Sequence, residues 1–74
     1  MTFETSDVVR VRRLLTPTRD VDGRSAHAPQ PRLGDLVVVA VPVGEDRYLV
    51  EHRTDDGVVL WVAEFHGSEL ELVS

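Results

Sequence analysis

The 74-residue chain contains no cysteine, lysine, asparagine or isoleucine. Without cysteine there is neither a disulfide framework nor a thiolate-ligated metal site. Without lysine, all eight basic side chains are arginines. The codons for lysine, asparagine and isoleucine are AT-rich, so a GC-rich coding sequence accounts for this bias, and the arginines alone do not point to phosphate. Aromatic residues are few: Phe3, Tyr48, Trp61 and Phe65. The N-terminal stretch MTFETSDVVRVRR has no basic flank followed by an apolar segment, so it does not read as a signal peptide. The longest apolar run, Leu36 to Val43, is broken by Pro42 and is far too short to span a bilayer. A soluble, cytoplasmic protein with no membrane partner is the expectation.

What is present describes a globular chain: 42% hydrophobic and 28% charged residues. The length allows one domain, residues 1–74, burying only about 60% of the surface its unfolded form exposes. Charge is uneven. Residues 1–32 carry six arginines against four acids, and residues 33–74 carry two arginines against nine acids. The acidic body repels nucleic acid overall, although a local arginine stripe could still touch phosphate.

Periodicity predicts five strands. Residues 8–15, VVRVRRLL, form the first, with Val9 and Val11 on one face and Arg10 and Arg12 on the other. Residues 16–33 lose all alternation and contain three prolines, which predicts a long first loop, with a short hairpin around DVDGRS as an alternative. Gly34-Asp35 opens the second strand, Leu36 to Val41. Gly44 is expected to supply the positive φ of the next turn. The third strand, Arg47 to Arg53, places Tyr48, Val50 and His52 on one face. Asp56-Gly57 suits a type I′ hairpin turn. The fourth strand, Val58 to Phe65, puts Val59, Trp61, Ala63 and Phe65 on one face and Val58, Leu60 and Val62 on the other. HGSE reads as a single 3₁₀ turn before a last strand, Leu70 to Val73. Five short strands without a helical period predict a small all-β, SH3-like five-stranded barrel with a long first loop.

The segments DVVRVRRLL, LGDLVVVAV, YLVEH and GVVLWVAEFHGSELELV resemble the small bacterial DUF4926 proteins of uncharacterised function. More distantly the chain is similar to SH3-like barrels that dock on larger complexes, such as the small SH3-like component of photosystem I and the C-terminal domain of the nitrile hydratase β-subunit. The shared pattern is a Gly-Asp opening a strand, a Tyr-x-Val-Glu strand and a Glu-Leu before the closing strand. It implies a fold and an accessory or binding role, and brings no catalytic residues. Val37 stands where the pattern has a second glycine, His52 where an aromatic is usual, and the first loop is longer.

Few constellations carry chemistry. His27, His52 and His66 fall in separate segments and match no metal-ligand spacing, and His52 reads as a hydrogen-bonded barrel histidine. The acid pairs Glu45-Asp46 and Asp55-Asp56 sit in turns, where water rather than a desolvated cleft surrounds them. No nucleophile elbow or phosphate loop is present, so neither an enzyme nor a cofactor is expected. Pro29 to Arg32, PQPR, is a weak polyproline II signal. Arg10, Arg12, Arg13, Arg19, Arg24 and Arg32 form the one basic group, suited to carboxylate or phosphate. The aromatics read as core, which leaves none for base stacking or a methyl-ligand cage.

The main anomaly is that strands two and four are apolar on both faces. Leu36, Val38 and Ala40 oppose Val37, Val39 and Val41. Wetting such aliphatic side chains forgoes roughly 1.5–3 kcal/mol each. The first loop, a second copy or another partner could cover them, and the loop offers few apolar residues for the purpose. The expected role is therefore a non-catalytic protein-interaction module, accessory subunit or immunity-type protein, possible as a homodimer. Its candidate partner-binding residues are the six arginines with Leu36, Val38, Leu60 and Val62. The alternatives are a nucleic-acid-binding barrel using the N-terminal arginines and an auxiliary domain of a nitrile hydratase-type metalloenzyme.

Overall fold

Residues with alternating β-branched and polar side chains form six strands in the computed structural model, which describes residues 2–16, 18–23 and 30–73. The strands are β1 (Val8–Val11), β2 (Val21–Gly23), β3 (Leu36–Gly44), β4 (Arg47–Arg53), β5 (Val59–His66) and β6 (Leu70–Leu72). A 3₁₀ turn, η1 (Gly67–Glu69), joins the last two. All pairings are antiparallel, in the order β2-β5-β4-β3-β1-β6. The architecture is therefore all-β, as expected, and its single antiparallel sheet has six strands, one more than the five expected, and is not closed.

One layer must enclose its own core. Val9, Val11, Val37, Val39, Val50, Trp61, Ala63, Phe65 and Leu70 are all buried, so the inner faces of every strand from β1 to β6 except the short β2 converge. Val21 of β2 packs against the same cluster. Such convergence without a second layer requires the sheet to curl strongly. Phe3 plugs the core from the N-terminal side, meeting the Tyr48 ring edge-on with centroids 5.3 Å apart. Its backbone N–H donates to the Tyr48 hydroxyl at 3.1 Å.

Two bulges decide which apolar side chains enter. Val39 pairs with Val50 but Val41 pairs with Leu49, leaving Ala40 as an extra residue. That insertion moves Val41 off the face of Val37 and Val39, contrary to strict alternation, and leaves it 43% exposed. In β5, Trp61 pairs with His52 and Val59 with Arg53, leaving Leu60 as the extra residue. Val59 is thereby half-buried instead of joining Trp61, Ala63 and Phe65 inside.

Other boundaries shift for identifiable reasons. The first strand ends at Val11, not residue 15, because the N–H groups of Arg12 and Arg13 both turn to the Glu69 carbonyl, at 2.8 and 3.3 Å. The stretch 16–33 carries β2, whose partner is β5 (Val21 opposite Ala63, Gly23 opposite Trp61) and not a hairpin mate. The part of DVDGRS after Gly23 lies outside the described residues. β3 runs on to Gly44, β5 covers Val59–His66, and β6 stops at Leu72. In the β3–β4 turn the positive φ belongs to Asp46 (56°) and not to Gly44. The β4–β5 turn is wider than type I′: only Gly57 takes a positive φ (86°), and its N–H donates to the Thr54 carbonyl at 2.9 Å.

Removing the Tyr48 hydroxyl leaves the buried Phe3 N–H without its acceptor. Tyr48→Phe is expected to cost about 2 kcal/mol, read as a lower urea midpoint with an unchanged m-value.

Candidate functional site

Burying a charge requires that it be paired, so buried carboxylates are the first places to look for function. Among the described residues Glu69 of η1 is the buried charged side chain, 3% exposed. Its Oε1 accepts from the His66 N–H at 2.9 Å and from Arg19 Nη1 at 3.1 Å. Its Oε2 accepts from the Leu15 N–H at 2.9 Å and from Arg19 Nη2. The Arg19 guanidinium also donates to the Glu64 carbonyl at 3.0 Å and lies over the Phe65 ring, 3.9 Å from its centroid. Burial alone would raise the Glu69 pKa. The Arg19 hydrogen bonds, the Leu15 and His66 N–H groups and the arginine charge outweigh it and hold the carboxyl below its ordinary value. Every acceptor site is filled from within the chain. This centre joins the β1–β2 connection to the β5–β6 connection, across the gap where no ladder links β2 and β6. It is structural.

Below it, η1 is capped by His66, whose Nδ1 accepts the Ser68 N–H at 3.1 Å and lies 2.9 Å from Ser68 Oγ. His66 Nε2 faces Asp46 Oδ2 at 3.4 Å. The Ser68–His66–Asp46 sequence superficially suggests a nucleophile relay. The single lone pair on Nδ1, however, is used by the backbone cap, and the His66 and Asp46 side chains face water. His52 makes the hydrogen bond expected of it, Nδ1 to the Leu36 carbonyl at 3.1 Å, and stacks on Trp61. His27 lies outside the described residues. No group of three or more metal-ligating side chains occurs among the described residues. No helix there is long and apolar enough to cross a membrane.

The five described arginines of this group do not gather into one patch. Arg19 is committed to Glu69, with a side chain 10% exposed. Arg10 pairs with Glu71 at 3.3 Å on the outer face, an exposed contact worth about 1 kcal/mol at most. Arg12 donates to the Ser68 carbonyl at 3.2 Å beside η1. Arg13 and Arg32 are exposed, and the Arg32 N–H is held by Asp35. Arg24 lies outside the described residues. Phe3, Tyr48, Trp61 and Phe65 are each 4% exposed or less, so none is available to stack on a base.

The apolar candidates fall on one surface. Leu36 and Leu60 are 50% and 38% exposed, while Val38 and Val62 are half-buried. Register sets Val38 opposite Glu51, Glu51 opposite Val62, and Val62 opposite Asp22. On the other side Val8 faces Val38, and Leu36 faces Arg10. The outer face is thus a hydrophobic field crossed by carboxylates, with exposed Val41 as a further member. Glu51 and Glu64 are partnered by Arg53 and Arg47. Toward β2 the face forms an open groove floored by Leu49 and Val62 and rimmed by Asp20, Asp22 and Glu64. Sequence reasoning missed this rim because β2 itself was not legible. It also missed Glu69, for which the His-x-x-Glu spacing of a capping box was an available signal.

No family model, curated protein or solved structure matches this chain.

Replacing Arg19 by Met leaves the Glu69 carboxylate buried with two backbone donors only, and about 3 kcal/mol of stability is expected to be lost, measured by thermal denaturation. Because the folded pKa of Glu69 is depressed, its stabilisation is complete above the unfolded carboxyl pKa and disappears as pH falls through the folded value. Glu69→Gln should therefore be less stable than the parent at neutral pH, with the difference shrinking on acidification. Urea midpoints followed across the acidic range check this.

Proposed function

We propose that this protein is a non-catalytic protein-interaction module, an accessory subunit or immunity-type protein, that docks through the outer face of its sheet. One observation carries the reading: Leu36, Val38, Val41, Leu60 and Val62 form an apolar outer face that nothing in the described chain covers. Interaction sites are where contiguous apolar surface rimmed by polar groups is tolerated in small soluble domains. The filled hydrogen-bonding capacity of Glu69 and the use of His66 as a cap support a role without chemistry.

The strand order supports an SH3-like plan for the fold. Leaving β2 aside, the run β6-β1-β3-β4-β5 with a 3₁₀ turn before the last strand is the arrangement such a barrel needs. The resemblance to DUF4926 proteins fits the same plan. A homodimer is the form of this proposal in which the partner is a second copy. The nucleic-acid alternative draws less support, since Arg19 is occupied and all four aromatics are buried. Nothing in the site favours the nitrile hydratase-type alternative.

The test uses a Leu36→Asp/Leu60→Asp double variant, whose exposed positions leave stability nearly unchanged. Light scattering should give the 8.3 kDa monomer mass for the variant. The parent should either run at twice that mass or retain from native extract a protein that the variant loses. Identical mass and identical retention for both chains would sink the proposal.

A further inference from the structure

The outer face is not uniformly apolar, and its charge is one-sided where it meets β2. The groove there has an aliphatic floor, Leu49 and Val62, both half-buried. Its rim carries Asp20, Asp22 and Glu64, all exposed. Across the strands the order is Asp22, Val62, Glu51, Val38. With strands about 4.8 Å apart, the Asp22 and Glu51 positions lie about 9.6 Å from each other, with Val62 midway. A neutral apolar partner seated here would strip water from carboxylates and give nothing back. A long side chain with an aliphatic stem and a cationic head would rest its stem on Val62 and Leu49 and place its head beside Asp20 or Asp22. Among the described arginines, Arg47 and Arg53 meet Glu64 and Glu51, which leaves Asp20 and Asp22 as the acidic part of the rim. The net charge of −5 attracts the same kind of partner at long range.

Resting on the docking-face reading above, we infer that the groove over β2, β5 and β4 binds a basic amphipathic segment of a partner protein, in which arginine or lysine alternates with aliphatic residues. The acids select the partner and the apolar floor holds it. Charge complementarity sets this occupant apart from a second copy, which would bring its own net charge of −5 to the interface.

The experiment titrates the isotopically labelled full-length chain, followed by NMR, with three octapeptides. In them valine alternates with arginine, with serine or with glutamate. The arginine peptide should shift the amides of Asp22, Leu49, Val62 and Glu64, and its affinity should fall about tenfold between about 20 and about 200 mM salt. Asp20→Asn/Asp22→Asn should weaken it about fivefold while leaving the spectrum otherwise folded. Equal binding of the serine and arginine peptides on this face overturns the cationic partner and leaves the docking face standing. Shifts confined to other residues, no shifts, or undiminished binding by the Asn variant also overturn it. The docking face itself is decided separately, by the Leu36→Asp/Leu60→Asp comparison.

Discussion

A carboxylate taken out of water must be answered by donors, and in this protein that demand closes the fold. Glu69 sits in a one-turn helix between the last two strands, and its four hydrogen bonds come from three places: Arg19, Leu15 and its own cap at His66. Two of these belong to the connection between β1 and β2. The sheet's two ends, β2 and β6, share no ladder, so a side-chain ion pair does what backbone pairing does in a closed barrel. The guanidinium covers the Phe65 ring as well, so the same residue seals the core where the strands part. A buried pair of this kind adds little net stability over an apolar substitute. Its value is directional, because the Leu15 N–H and the Arg19 guanidinium must both reach Glu69 to satisfy it.

The doubly apolar strands become intelligible through their irregularities. In β3 a regular strand would have sent Val37, Val39 and Val41 inward together. The extra residue at Ala40 interrupts that, so two valines fill the core and the third joins Leu36 and Val38 outside. The extra residue at Leu60 acts similarly on Val59. Bulges increase local twist and curl, which a single sheet needs in order to wrap its own interior. The aliphatic excess is thus divided between a core that is full and an outer face that is uncovered.

Much of this was legible in the sequence, and what was hidden was hidden for physical reasons. Arg47 to Arg53 shows clean alternation, and its strand has the expected bounds, with Tyr48 and Val50 buried. HGSE reads as a short 3₁₀ turn, and η1 stands there. β2 was invisible because three residues, Val21–Gly23, cannot display a period, and prolines surround them. The bulges at Ala40 and Leu60 are properties of pairing between strands, and no residue type announces them. Arg19 looked like its fellow arginines until a partner 50 positions away became visible. The acidic groove is similarly non-local: Asp22, Leu49 and Val62 meet only through registers that the linear pattern does not contain.

The long reach of these contacts bears on how the chain acquires its shape. Phe3 bonds to Tyr48 across 45 positions, and Leu15 to Glu69 across 54. The meander of β3, β4 and β5 is linked by short turns and has the smallest loops to close. β1, by contrast, lies between β3 and β6 and gains its second neighbour only from the C-terminal strand. Before Glu69 and β6 dock, the core cluster that holds Val37 and Val39 lacks Leu70, and Leu36 stays exposed on the other face. That interval is when self-association is most dangerous. Pro42, near the end of β3, interrupts the aliphatic run during that interval.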